Sequence, residues 1–353
     1  MSLLKLILSY FYGLAVYARN WLYDAGVLRQ SKLEGFVISV GNIAVGGTGK
    51  SPVVVELIKF IQTLGGKFHI VVLTRGYKSG LKSGEWLCLR GGKAIDGSSV
   101  FAKSLKPDEA LMQSLMCPEV DVLVGSRRLE NSKLWQATLE KELPTSKNTV
   151  WILDDGFQHR KIDRDLDILL LDAEKPFGEL LPRGMFREPA EALCRSDEIV
   201  FTRAKSGQPK PGDRALVELH CRDSKVSETV FETLRPRPAF ENSNEVLLDG
   251  QEVCVVSGLA RNSQFVESIK SQGFRVQKVV EFDDHAPIDR GKILEALGDN
   301  RSIAVVTTAK DFSRSRDVFS SLPCKVYVAE LKTQLALDLK ERLKARLAAK
   351  FDF

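Results

Sequence analysis

Residues 44–51 read Ala44, Val45, Gly46, Gly47, Thr48, Gly49, Lys50 and Ser51, and their types and spacing suit one task, holding a chain of phosphates. Gly46, Gly47 and Gly49 let backbone N–H groups close around phosphate oxygens. Lys50 supplies a positive charge for the β- and γ-phosphates, and Ser51 offers a hydroxyl to Mg2+. Ala44 stands where such loops usually carry glycine, and a small residue serves there if its φ stays negative. A metal-bound phosphate chain also calls for an acid at the end of a strand. The run TVWILDDGFQH provides Asp154 and Asp155, carboxylates that hold Mg2+ directly or through water. Alone, Asp-Asp-Gly reads more often as a turn; the phosphate loop is what gives it a metal. Asp108 and Glu109 follow Pro107 at a helix start, where acids also simply favour the helix dipole. Of the four histidines, His159 closes the run after the two acids, and His285 lies in EFDDHAP beside Asp283 and Asp284. A loop histidine of that kind is a proton carrier or merely a solvated side chain.

These groups need elements to position them. Phe36–Val40 is a β-branched run suited to a buried parallel strand, and Val53, Val54, Leu57, Ile58 and Ile61 repeat at helical spacing until Gly65 and Gly66. The loop therefore sits on a strand-to-helix turn, with Pro52 in the first helical turn, where its missing N–H costs little. Val150–Leu153 form the strand that delivers Asp154 and Asp155 at its carboxyl end, where open α/β sheets bind ligands. Further strands are expected at Phe68–Thr74, Val120–Gly125, Leu166–Asp172 and Asp197–Thr202. The alternation predicts an α/β fold, a doubly wound sheet of the P-loop NTPase kind.

The chain has 353 residues, which favours two domains over one core. Turn formers in SGQPKPGDR and TLRPRPAFENSN mark the change, and a second, smaller α/β unit follows. The expected division is a helix over 1–26, a P-loop domain over 27–205, a linker over 206–250 and a C-terminal domain over 251–353. A net charge of +5 is small for this length and argues against a dedicated nucleic-acid binder. The six cysteines form no C-x-x-C pair or zinc spacing, so buried reduced thiols are expected.

The uncharged amino-terminal stretch runs only from Leu6 to Ala18, about 20 Å as a helix and short of a bilayer core. A signal peptide would imitate it, but a triphosphate-binding fold belongs on the cytosolic side. Tyr10, Phe11, Tyr12, Tyr17, Trp21 and Tyr23 suit a helix lying on a membrane surface, or one covering the domain.

Together the motifs resemble the tetraacyldisaccharide 4′-kinase family. The resemblance rests on WLYDAG, SVGNIAVGGTGKSP, LTRGY, DEALM, GSRR, LDDGFQH, LLPRGMFREP, SGLA, FDDH and TTAKD. It implies ATP and Mg2+ as cofactors and phosphorylation of the 4′-hydroxyl of an acylated glucosamine disaccharide 1-phosphate lipid, giving lipid IVA. It further implies a peripheral or monotopic protein at the cytoplasmic face of the inner membrane, with no nucleic acid and no obligate protein partner. Within it, Lys50 and Ser51 bind nucleotide phosphates and Mg2+, Asp154 and Asp155 form the metal-side pair, and Asp108 is the base, helped by His285. Arg75, Tyr77, Glu109, His159, Arg187 and Glu188 fall in supporting motifs. Two other classes remain possible. One is a membrane-associated regulatory NTPase, for which the nearest guanine-type string, Thr308–Asp311, has its lysine misplaced; the other is a non-catalytic lipid binder with a vestigial loop.

Overall fold

The computed structural model describes residues 2–76, 79–95, 107–142, 148–203, 209–221, 223–240, 245–259, 261–283, 286–300 and 302–351. Two compact units emerge, Met1–Val230 with Thr333–Phe353, and Phe231–Lys332.

In the first unit, helix α1 (Ser2–Asp24) precedes strand β1 (Phe36–Asn42), helix α2 (Lys50–Thr63), β2 (His69–Thr74), β3 (Leu87–Arg90) and β4 (Lys93–Ala94). Then come α3 (Asp108–Met116), β5 (Asp121–Val124), α4 (Arg128–Glu142), β6 (Thr149–Asp154), β7 (Leu166–Asp172), β8 (Glu198–Thr202), α5 (Pro211–His220) and β9 (Lys225–Thr233). With β15 (Leu331–Gln334), the strands form one sheet in the order β15-β9-β8-β7-β1-β6-β2-β5-β3-β4. β1 lies parallel between β6 and β7, with Ile38 opposite Ile152 on one side and Leu166 on the other. All seven of its residues are buried, the polar Ser39 and Asn42 included, as expected of a β-branched-rich strand covered on both faces. α2 covers one face with Val53, Val54, Leu57, Ile58 and Ile61, and the left-handed Gly65 follows its end.

The second unit carries β10 (Arg237–Pro238), β11 (Glu252–Ser257), α6 (Asn262–Ser271), β12 (Arg275–Glu281), α7 (Arg290–Leu297), β13 (Ala304–Thr308), α8 (Ala309–Arg314), α9 (Arg316–Ser320) and β14 (Val326–Ala329). Its sheet runs β10-β14-β13-β11-β12, parallel except for β10. The string Thr308–Asp311 caps a helix here: the Thr308 hydroxyl accepts from the Asp311 N–H at 3.1 Å and donates to its carboxylate at 2.8 Å.

The units divide elsewhere than the composition shifts. The stretch expected as a linker contains α5 and β9, and β9 extends the first sheet with Ile199 opposite Val226. The closing helix α10 (Leu337–Phe351) belongs to the first unit, where Leu339, Leu343 and Leu347 are buried. Its polar side is tied down as well: Arg342 donates two hydrogen bonds to Glu198 at 2.7 and 2.8 Å, and Lys340 reaches Glu56 at 3.0 Å. Cys88, Cys117, Cys221 and Cys254 are buried free thiols, as expected, whereas Cys194 is exposed.

α1 shows its apolar side outward. Ser9, Tyr12, Gly13, Val16, Arg19 and Asn20 recur at helical spacing on the docked side. Ser9 donates to the Leu180 carbonyl at 3.0 Å, Tyr12 to that of Arg187 at 3.1 Å, and Val16 is buried. Tyr10, Phe11, Leu14 and Tyr17 expose between 64% and 76% of their surface. Among the described residues no helix is long and apolar enough to cross a membrane.

Candidate active site

The loop after β1 is shaped by its glycines and braced from outside. Gly46 and Gly49 take φ of 109° and 86°, backbone that favours glycine. Ala44 has no such need: it pairs with Phe186 in an antiparallel bridge, flanked by Val45 N–H to Met185 C=O at 2.7 Å and Arg187 N–H to Ile43 C=O at 2.6 Å. That extended backbone is why alanine serves at the first position. Thr48 is buried; its hydroxyl accepts from the Asn42 amide at 2.8 Å, and its carbonyl accepts from Thr202 Oγ1 at 3.0 Å. α2 starts at Lys50 with Gly49 as N-cap and no side-chain cap, so its first N–H groups face the loop as an anion site would.

Asp154 and Asp155 end the neighbouring strand under opposite influences. The Asp155 turn, with φ of 53°, is pinned by Gly156 N–H to Val40 C=O at 3.0 Å. A Cβ on Gly156 would come within 2.6 Å of Ser39 Oγ, so only glycine lets the turn lie this close to β1. Arg187 grips Asp155 with two hydrogen bonds, at 2.9 and 2.8 Å, and Lys50 Nζ lies 3.5 Å away. Burial pushes the Asp155 carboxyl up, but the Arg187 hydrogen bonds and the Lys50 charge outweigh it and hold the group well below the usual range. Arg187 also reaches the Asn42 side-chain oxygen. Asp154 goes the other way: burial and then the charge of Glu109 push it up to about 6, against the 2.8 Å hydrogen bond from Gln113.

Arg128 lies beneath both acids. Its buried guanidinium donates to the Asp154 carbonyl at 2.9 Å and to that of Asp155 at 3.2 Å. Burial lowers its pKa to about 10, still protonated at neutral pH. Burial and the charges of Arg128, Arg164 and Lys161 lower His159 to about 3, so its imidazole is neutral.

The structure thus gathers Lys50, Asp154, Asp155 and Arg187, with Glu109 acting on Asp154 through its field. Ser51 is the second residue of α2, and Asp108 the first of α3, half-buried. Arg75 is exposed, and its charge is felt at Arg128 and His159. Glu188 faces away from the loop: its fully buried carboxylate accepts from Arg19 at 3.1 Å, Asn20 at 2.9 Å and Arg195 at 2.9 Å, which fastens α1. Tyr77 and His285 lie outside the described residues. Asn42, Gln113 and Arg128 were not singled out from sequence. Asn42 stands in the SVGNIAVGGTGKSP motif, Arg128 in GSRR and Gln113 one turn beyond Glu109, and those positions are the signals that point to them.

A family model described as Tetraacyldisaccharide-1-P 4'-kinase matches residues 1–350. The tetraacyldisaccharide 4'-kinase of Geobacter metallireducens is 33% identical over 335 residues, 93% of each chain. That of Aquifex aeolicus is 34% identical over 284 residues, 78% of this chain and 80% of its own. The crystal structure of the "apo" form of LpxK from Aquifex aeolicus in complex with ATP superposes with a TM-score of 0.74 at 30% identity, covering 98% of both chains. With the model matched over nearly its whole length, the chain belongs to the tetraacyldisaccharide-1-phosphate 4'-kinase family.

Proposed function

We propose that this chain transfers the terminal phosphoryl group of ATP to the 4′-hydroxyl of a tetraacylated glucosamine disaccharide 1-phosphate, giving lipid IVA. The convergence of Lys50 and Arg187 on Asp155, beside a helix start without a side-chain cap, carries the proposal. The 3.5 Å Lys50–Asp155 contact is longer than a charge-assisted hydrogen bond, so the ammonium can turn to a phosphate while Arg187 keeps Asp155 ionised. An alcohol attacks poorly until a carboxylate takes its proton. Asp108 is assigned that step, with His285 assisting.

The oxygen donors Ser51, Asp154 and Asp155 suit a hard divalent cation such as Mg2+. Among the described residues no three His, Cys, Asp or Glu side chains gather into a metal cluster, a pattern that fits Mg2+ taking its other ligands from phosphates and water. When bound, Mg2+ neutralises charge on the β- and γ-phosphate oxygens.

A substrate with four acyl chains does not leave a bilayer cheaply. The outward stripe of Tyr10, Phe11, Leu14, Tyr17 and Trp21 supports α1 lying in the membrane surface, with the protein peripheral on the cytoplasmic face. The test is to incubate the full chain with γ-labelled ATP, Mg2+ and tetraacyldisaccharide 1-phosphate in micelles. The lipid is expected to carry the label. Label appearing only as inorganic phosphate would point to the regulatory NTPase, and ATP left intact to the lipid binder.

A further inference from the structure

A triphosphate in the loop must have a direction, and the sheet provides one. Lys50 contacts Asp155 at the end of β6, on one side of β1, while β7 and β8 lie on the other. With the terminal phosphate toward Lys50 and the acids, the nucleoside runs toward the carboxyl ends of β7 and β8. There the strand order reverses about β1, the place where open α/β sheets bind ligands.

The side chains waiting there are Asp172, Thr202 and Arg203. Thr202 fastens the end of β8 to the loop through the Thr48 carbonyl, at 3.0 Å. Arg203 then takes φ of 63°. Among the described residues Asp155 is the only other non-glycine with positive φ, so the two flank the loop from opposite sides. Such backbone is unfavourable and concentrates at ligand clamps. Asp172 holds Arg203 Nη1 at 3.2 Å, and Nη2 lies 3.8 Å from where a Cβ on Gly47 would be. The Arg203 side chain keeps 25% of its surface exposed, room for a ligand contact.

We propose that Arg203 grips the nucleoside end of ATP, its guanidinium plane laid against the purine and ribose while Asp172 fixes its orientation. The assignment rests on the triphosphate occupying the loop as proposed above. A planar, weakly hydrated cation stacks on aromatic faces, and a purine presents one.

Titration calorimetry of the full chain with ATP and with inorganic tripolyphosphate, both in Mg2+ buffer, separates this role from a brace on the loop. Arg203→Ala is expected to weaken ATP about tenfold and to leave tripolyphosphate within about twofold. Arg203→Lys keeps the charge but loses the flat face, so it too should weaken ATP more than tripolyphosphate, which keeps the test usable if the alanine variant folds poorly. Equal weakening of both ligands, or of neither, overturns the assignment. A wild-type chain that binds neither ligand removes the loop as a phosphate site, and Arg203's role with it.

Discussion

Asp154→Asn should gain stability relative to the wild type as pH rises, while disabling the protein. Burial and Glu109 raise the Asp154 carboxyl from 3.8 to about 6. A raised carboxylate pKa means the folded state holds the proton more tightly than the unfolded chain. The stability this contributes is therefore full below the unfolded pKa and is lost as pH rises through the folded one. The shift of about 2 units, at 1.36 kcal/mol per unit, leaves the ionised wild type roughly 3 kcal/mol less stable at pH 8 than a neutral isostere. Asparagine keeps an oxygen for the Gln113 amide, and any unpaired N–H adds a cost of about 1–3 kcal/mol that does not vary with pH. The pH dependence is therefore the sharper signal: the variant's stability relative to the wild type should rise by roughly 1–2 kcal/mol between pH 5 and pH 8. All four tryptophans, Trp21, Trp86, Trp135 and Trp151, lie in the first unit, so urea unfolding followed by tryptophan fluorescence reports on it alone. Asp155→Asn is the control of opposite sign. Its carboxyl is held low, so its stability is present above the unfolded pKa and lost as pH falls, and its removal should destabilise at pH 8. A stability difference between Asp154→Asn and wild type that is flat with pH, or two variants whose differences from wild type change with pH in the same direction, would refute the assignment of opposite fields to adjacent acids.

Where function was written in consecutive residues, it could be read from sequence. The glycine loop and the acidic strand end are local patterns, and buried parallel strands such as Leu166–Asp172 show as mostly apolar runs, here Ile168–Leu171. Asn42 and Arg128 fall inside quoted motifs and Gln113 just beyond one, but their types imply no particular partner; only the sheet brings Gln113 and Arg128 to Asp154, from 41 and 26 positions away. β9 is hidden in the expected linker because a polar strand near the sheet's edge buries only small polar residues around a charged one, as Ser227, Glu228 and Thr229 do. By its place in the chain α10 reads as part of the second domain, while Glu198, the partner of its Arg342, lies 144 positions upstream in the first sheet. Glu188 sits in the same motif as Arg187, and no spacing rule says that adjacent residues serve opposite sides of one segment.

Lys50→Ala and Asp108→Ala should each lower turnover at least ~10²-fold in the labelled-lipid assay with the tryptophan unfolding curve preserved; near-normal turnover of the Asp108 variant removes it as the base. Glu188→Ala tests the docking of α1. Its side chain is fully buried between Arg19 and Arg195, so truncation leaves two cations without their shared acid and should cost roughly 3–5 kcal/mol. The loss should fall first on the helix, read as faster limited proteolysis near the amino terminus, and Glu188→Gln, which keeps the shape and can still accept hydrogen bonds, should lie between. Activity should fall with it, because Tyr12 holds the Arg187 carbonyl while the Arg187 side chain holds Asp155, so a loosened helix releases the residue that keeps the acid ionised. Unchanged proteolysis and stability with activity lost would place Glu188 in the chemistry and dissolve the link from the exposed helix to the phosphate site.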